Sequence, residues 1–224
     1  VTDATEKTPE ANLIDLSEYR QEAQTGAIAC VESYWETLRD GRIMPCRSEV
    51  DPRGIAGALE NAFVLERVAH GVGRFRLAGM QLNDILGMEV RGMPLTSLIL
   101  PGSRDDMNAA LAAVFDEPAV ARLSLVSDSG FGRPKVAARM ILLPLRSDLG
   151  DVSRVLGCFV AEGRIGRAPR RFDIAERSHR TLIGYGDARP ANVGTPRMTG
   201  QPIRGAAPRP VADRANLRLV HSRD

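Results

Sequence analysis

The chain has 224 residues, is 43% hydrophobic and carries a formal net charge of +2. That length suits one domain with a sizeable appendage, or two small domains, and the apolar content is enough for a real core. No apolar run approaches the roughly 18 residues a transmembrane helix needs, and the opening VTDATEKTPE lacks the apolar core of a secretory leader. Cys30, Cys46 and Cys158 are odd in number and form no C-x-x-C, which argues against a disulfide framework and fits a cytoplasmic protein.

The small net charge conceals an asymmetry. Residues 1–163 hold 17 Lys and Arg against 23 Asp and Glu, net −6, whereas residues 164–224 hold 13 Arg against 5 acids, net +8. The second segment repeats Pro, Gly and Arg (RAPRR, ARPANVGTPR, GQPIRGAAPRPVADR) with few large apolar residues, so little of it is expected to pack. The expected organisation is a polar leader over 1–23, an acidic folded domain over 24–163, and a basic, largely disordered tail over 164–224.

In chain order, a turn or short strand is expected near Leu13–Leu16. AIACVESYWETLRDG then predicts a helix, because Ile28, Val31, Trp35 and Leu38 recur at helical spacing. Gly41 and Pro45 stop it. Asp51 and Pro52 open a second short helix as N-cap and first helical residue. AFVLERVAHGVGRFRLAG predicts two strands joined at His70-Gly71-Val72-Gly73. MQLNDILG predicts a helix of about two turns. A longer helix follows over 103–116, capped by Ser103 with Asp106 and striped by Met107, Leu111 and Val114. AVARLSLVSDSG, PKVAARMILLPLRS and DVSRVLGCFVAEG predict three strands in an antiparallel meander. In the middle strand Ala138, Met140 and Leu142 share one face, and Ile141 and Leu143 the other. The fold class is therefore α+β, with five antiparallel strands, short helices on one face, a leading helix and an extended tail.

Gly71-Val72-Gly73 begins like a dinucleotide fingerprint, but position 76 is Arg and the segment joins two strands. It reads as a hairpin turn and not as a phosphate loop. His70, His179 and His221 are far apart and share no metal-ligand spacing with the cysteines. A nucleophilic Ser or Cys needs a base within reach, and His70 is the one histidine in the expected domain. Asp105 and Asp106 read as charges complementing a helix N-terminus. No catalytic residue, metal site or enzymatic activity is expected. The stripe from Ile28 to Leu38 fits two roles, covering the core or pairing with a second copy. Only Phe172 and Tyr185 interrupt the arginine-rich tail as aromatics. It therefore fits a solvated segment better than a nucleic-acid or anionic-membrane binder.

YWETLRDGRIMPCRSEVDPRGI, residues 34–55, and FRLAGMQLNDILGMEVRGMPLTSL, residues 75–98, resemble the PAS domain superfamily. The nearer similarity is to alphaproteobacterial proteins with a single PAS domain. The residues that carry it are Trp35, Leu38, Arg39, Gly41, Arg42, Pro45, Arg47, Asp51 and Pro52 in the first stretch. In the second they are Gly79, Gly87, Glu89, Arg91 and Gly92. The resemblance covers about residues 24–163. It implies a sensor or interaction module of bacterial signalling, not an enzyme. It also disfavours two cofactors. PAS haem sensors commonly hold iron through a His on the long helix, and SRDDMNAALAAVFD has none. Light-sensing flavin members carry an N-C-R-F-L-type motif, and L-N-D-I-L here has no Cys.

Turns at Gly79, Gly87 and Gly92 would fold short helices back across the sheet. The lining expected for a pocket is Phe75, Leu77, Leu82, Ile85, Leu86, Met107, Leu111, Met140 and Leu142. The same residues serve equally as a filled core. Any ligand would be small and apolar. Contact between two copies is expected through Ile28, Val31, Trp35 and Leu38, together with an unidentified signalling partner. Two other readings stay open: a ligand-free dimerisation scaffold, and a basic-tailed protein that binds nucleic acid or a membrane surface.

Overall fold

A computed structural model describes residues 16–184. The leader before Leu16 and the tail beyond Gly184 lie outside the described residues. The described elements are α1 (Leu16–Arg39), β1 (Ala62–Ala69), β2 (Val72–Ala78), α2 (Met80–Leu86), α3 (Arg104–Asp116), β3 (Ala119–Ser127), β4 (Ala137–Arg146), β5 (Val152–Glu162) and β6 (Phe172–Thr181). Short 3-10 turns fill the connections at Arg47–Glu49, Pro52–Ala58, Leu95–Leu98 and Pro101–Ser103.

The strands form one antiparallel sheet in the order β2-β1-β5-β4-β3-β6. Alternation along each strand loads both faces of it. On the inner face Phe63, Leu65, Phe75, Leu123, Met140, Leu142, Val155 and Phe159 pack against α2, α3 and the turns between them. On the outer face Val64, Val120, Ile141, Leu143, Leu156, Cys158 and Val160 pack against α1 and the 52–58 turn. The faces expected for β4 are the ones observed.

Three expectations change. The helix begins at Leu16, not after the leader, because LSEYRQEAQ is built from residues that propagate a helix well. Ser103 stands at the N-cap of α3 but caps nothing with its side chain, since its hydroxyl is bonded to Asp173. Asp105 and Asp106 do sit in the first turn, beside the positive helix end.

The third change is the largest. The segment read as the start of a disordered tail carries a sixth strand. β6 pairs with β3 from Ala119↔Thr181 to Ser127↔Phe172, with a bulge beside Ser124. Phe172 is buried in the inner core, edge-on to Phe159 at 5.3 Å. Leu182 joins the outer core. Arg170 is fully buried. Its guanidinium donates to Asp128 Oδ1 at 3.3 Å, to the Asp128 carbonyl at 2.7 Å and to the Pro134 carbonyl at 2.6 Å, with further bonds to Ser127 Oγ and the Ile165 carbonyl. A buried guanidinium with this many acceptors is paired and solvated by protein, which is what makes its burial tolerable. The folded unit therefore runs past residue 163 to at least Leu182.

Candidate functional site

Eight of the nine side chains expected to line a pocket meet in the inner core. Phe75, Leu82, Ile85, Leu86, Met107, Leu111, Met140 and Leu142 are all buried in one cluster. Phe75 lies edge-on to Phe63 at 5.5 Å. They lie together beneath the short helices. Leu77 does not join them and is 47% exposed. The cause is a bulge: Leu65 pairs with Phe75 and its neighbour Val64 pairs with Leu77, so two steps on β2 match one on β1. The extra residue, Arg76, puts Leu77 on the opposite face from Phe75.

The residues expected at a dimer contact divide in the same way. Trp35 and Val31 are fully buried in the outer core of their own chain, and Ile28 and Leu38 are half-buried. The Trp35 indole donates to the Pro144 carbonyl at 2.9 Å. The stripe of α1 is therefore occupied by the sheet beneath it, and Val31 and Trp35 offer no surface to a second copy.

The stretch around residues 34–55 forms a clasp that holds α1 on the sheet. Arg42 reaches back to the carbonyls of Leu38 at 2.6 Å and Arg39 at 3.1 Å, the C-terminus of α1, where a cation is favoured. It also pairs with Glu49 at 2.9 Å. Glu49 in turn accepts from the Cys46 amide at 2.6 Å. These bonds hold the Glu49 carboxyl below its usual range, chiefly through Arg42, and hold Arg42 above its own. Pro45 accepts from the Arg146 amide at 3.0 Å. Tyr34 Oη receives the Asp51 amide at 2.7 Å and donates to the Asp51 carbonyl at 3.1 Å. Asp51 caps the 52–58 turn through the Arg53 amide at 2.9 Å. Arg39 lies over the Trp35 ring, 5.7 Å from its centroid, while Arg47 opens the 47–49 turn. Gly79 precedes α2, Gly87 closes it, and Gly92 turns toward β2.

Two surface features were not legible from the sequence. One is a groove of about 350 Å³ on the outer face, bounded by Ile28 and Glu32 of α1, Arg122 of β3, Arg139 of β4 and Glu176 of β6. Arg122 pairs with Glu32 and Arg139 with Glu162, so its charges are largely matched within the domain. It exists because β6 is present. The other is the free edge of β6. The Leu182 amide donates to the Pro118 carbonyl at 3.0 Å. Strand alternation then turns the amides of Arg180, Ser178 and Glu176 toward β3 and those of Thr181, His179 and Arg177 away from it. The 99–100 segment covers this edge at Phe172. From Glu176 to Thr181 no strand lies beyond it among the described residues.

Among the described residues no group of three His, Cys, Asp or Glu side chains is placed to hold a metal, and no helix is long and apolar enough to cross a membrane. No curated protein matches the chain. Among solved structures, the light-state structure of the blue-light photoreceptor Aureochrome1 LOV is similar at a TM-score of 0.35 and 12% identity, covering 48% of this chain and 84% of that one. A family model described as PAS domain matches residues 24–160. An antiparallel sheet in the order β2-β1-β5-β4-β3 with α2 and α3 on one face, and that match across more than half of its length, make this chain a member of the PAS domain family.

Proposed function

We propose that the chain is a cytoplasmic signalling module of the single-domain alphaproteobacterial kind, without enzymatic activity or bound cofactor, which acts through protein contact. In this reading two copies pair along the free edge of β6. PAS membership supports the sensory and signalling role. In this reading the inner cluster, where the expected pocket residues pack together, is a ligand-free core, and the module is one of interaction. The observation that carries the contact is the edge. β6 is 10 residues long, exposed over most of its length, and has outward amides at Arg177, His179 and Thr181.

One cross-strand pair matches in charge, through Arg180, which also reaches Glu36 of α1 at 3.0 Å. When His179 stands opposite Arg177 of the second copy, two strands related by a twofold axis bring Glu176 opposite Arg180 of that copy, and the reverse. Opposed charges at such cross-strand positions contribute about 0.2–1 kcal/mol each. The new ladder adds the outward backbone bonds. Sedimentation of the full chain tests this, with wild type sedimenting as a dimer. His179→Pro removes an amide that points away from β3, so the native ladder survives and the added strand loses its central donor. A folded monomer is expected from that variant. A monomeric wild type, or a variant that stays dimeric, contradicts the reading.

A further inference from the structure

We propose that the β3–β4 end of the domain is a docking surface for an anionic lipid bilayer, with Phe131 as the inserting residue. The Phe131 side chain is fully exposed, at 104% of its reference area. It touches nothing in its own domain. An isolated exposed Phe on an open loop would need no explanation, but this one stands on a hydrogen-bonded turn. Residues 130–133 form a tight turn closed by Gly130 N to Arg133 O at 3.0 Å and Arg133 N to Gly130 O at 2.9 Å. Gly132 supplies the positive φ of 70° that the turn requires. The Arg167 amide donates to the Gly132 carbonyl at 3.0 Å. Buried Arg170 then ties both sides of the assembly to Asp128.

The surroundings of this tip are cationic. Lys135, Arg164, Arg167 and Arg171 are exposed, and none of them holds a carboxylate among the described residues. Three backbone contacts draw them to the turn: Arg167 N to Gly132 O, Asp128 N to Arg171 O at 3.1 Å, and the packing of Gly166 against Gly132 and Pro134. Arg133 and Arg170 share the single carboxylate of Asp128. A projecting apolar ring inside a collar of cations complements a surface with anionic headgroups over an apolar interior. Each cation held near such a surface strengthens binding about fivefold. The ring projects alone, without the run of stacking aromatics that a single nucleic acid strand would use, so the bilayer is favoured over nucleic acid.

The test uses the full chain and vesicles of phosphatidylcholine and phosphatidylglycerol in equal parts, against phosphatidylcholine alone. In a Phe131→Trp variant the new indole is expected to shift to the blue on the anionic vesicles and to be quenched by acyl-chain bromination. The native Trp35, buried in the outer core, supplies a constant background. Phe131→Ser is expected to weaken vesicle binding about tenfold with an unchanged thermal midpoint, since the ring makes no native contact. Arg167→Glu with Lys135→Glu is expected to weaken it further. Absence of quenching overturns the proposal, and so does equal binding by wild type and Phe131→Ser, which assigns attraction to the basic C-terminal sequence. Binding to single-stranded DNA without binding to vesicles overturns it in favour of nucleic acid.

Discussion

Single residues show where alternation holds in this domain and where it slips. Leu111 is fully buried between α3 and the sheet, and Leu111→Ala is expected to cost about 2–5 kcal/mol in a denaturant titration. Leu77, which periodicity pairs with Phe75, lies on the other face, and Leu77→Ala is expected to change stability by no more than about 0.5 kcal/mol. The contrast between the two checks the β2 bulge directly. Gly157 is fixed by a close approach. A methyl group there would come within 2.2 Å of the Phe63 ring, so Gly157→Ala is expected to destabilise the domain by about 1–3 kcal/mol.

Cys158 adds a dependence on alkaline pH. Burial pushes its thiol up to about 12, while in the unfolded chain it ionises near the ordinary value of about 8.5. Below that value both states keep the proton and the thiol adds no slope. Between the two values only the unfolded chain loses it, so the folded state binds more protons and stability falls as pH rises. Urea midpoints taken across this range are expected to fall more steeply for wild type than for Cys158→Ala. Parallel slopes would mean that the thiol is solvated beneath α1.

At the scale of elements, two segments behave differently from their composition. The stripe of α1 is one covered face of the domain, so Val31→Glu is expected to unfold the protein and not to release a folded monomer, as circular dichroism would show. β6 carries Phe172 into the inner core, and with it comes the Arg170 network and Leu182. Ending the chain after Gly163 is therefore expected to lower the thermal midpoint by about 10 °C or more, because loss of a buried Phe alone is worth about 3–5 kcal/mol. An unchanged midpoint would return the segment to the tail.

The five strands of the expected meander and hairpin were legible because each is a run rich in apolar residues bounded by turn signals, as in AARMILLPLR of β4. β6 was not, because FDIAERSHRT is wholly polar from Glu176 onward. It is held by pairing with β3 and by anchors at its start, neither of which has a period. The pocket lining was legible as a set of buried residues, but periodicity cannot distinguish a lined cavity from a filled one. The Leu77 error has the same root, since a bulge is decided by the partner strand. The motif around residues 34–55 was recognisable as a signature. Its role as a clasp appears only when Arg42, Glu49, Tyr34 and Asp51 are seen together.

Across the described residues as a whole, the sheet separates two cores, and helices cover each of them. Two exposed features lie at its rim, the outer edge of β6 and the tip at Phe131. The contact proposed for signalling uses the first of these. The most direct measurement is amide hydrogen exchange of the full chain at increasing protein concentration. The amides of Arg177, His179 and Thr181 point away from β3 and are predicted to gain protection together as concentration rises, while those of Ser178 and Arg180 are protected throughout. Fast exchange at Arg177, His179 and Thr181 at every concentration would contradict pairing along β6.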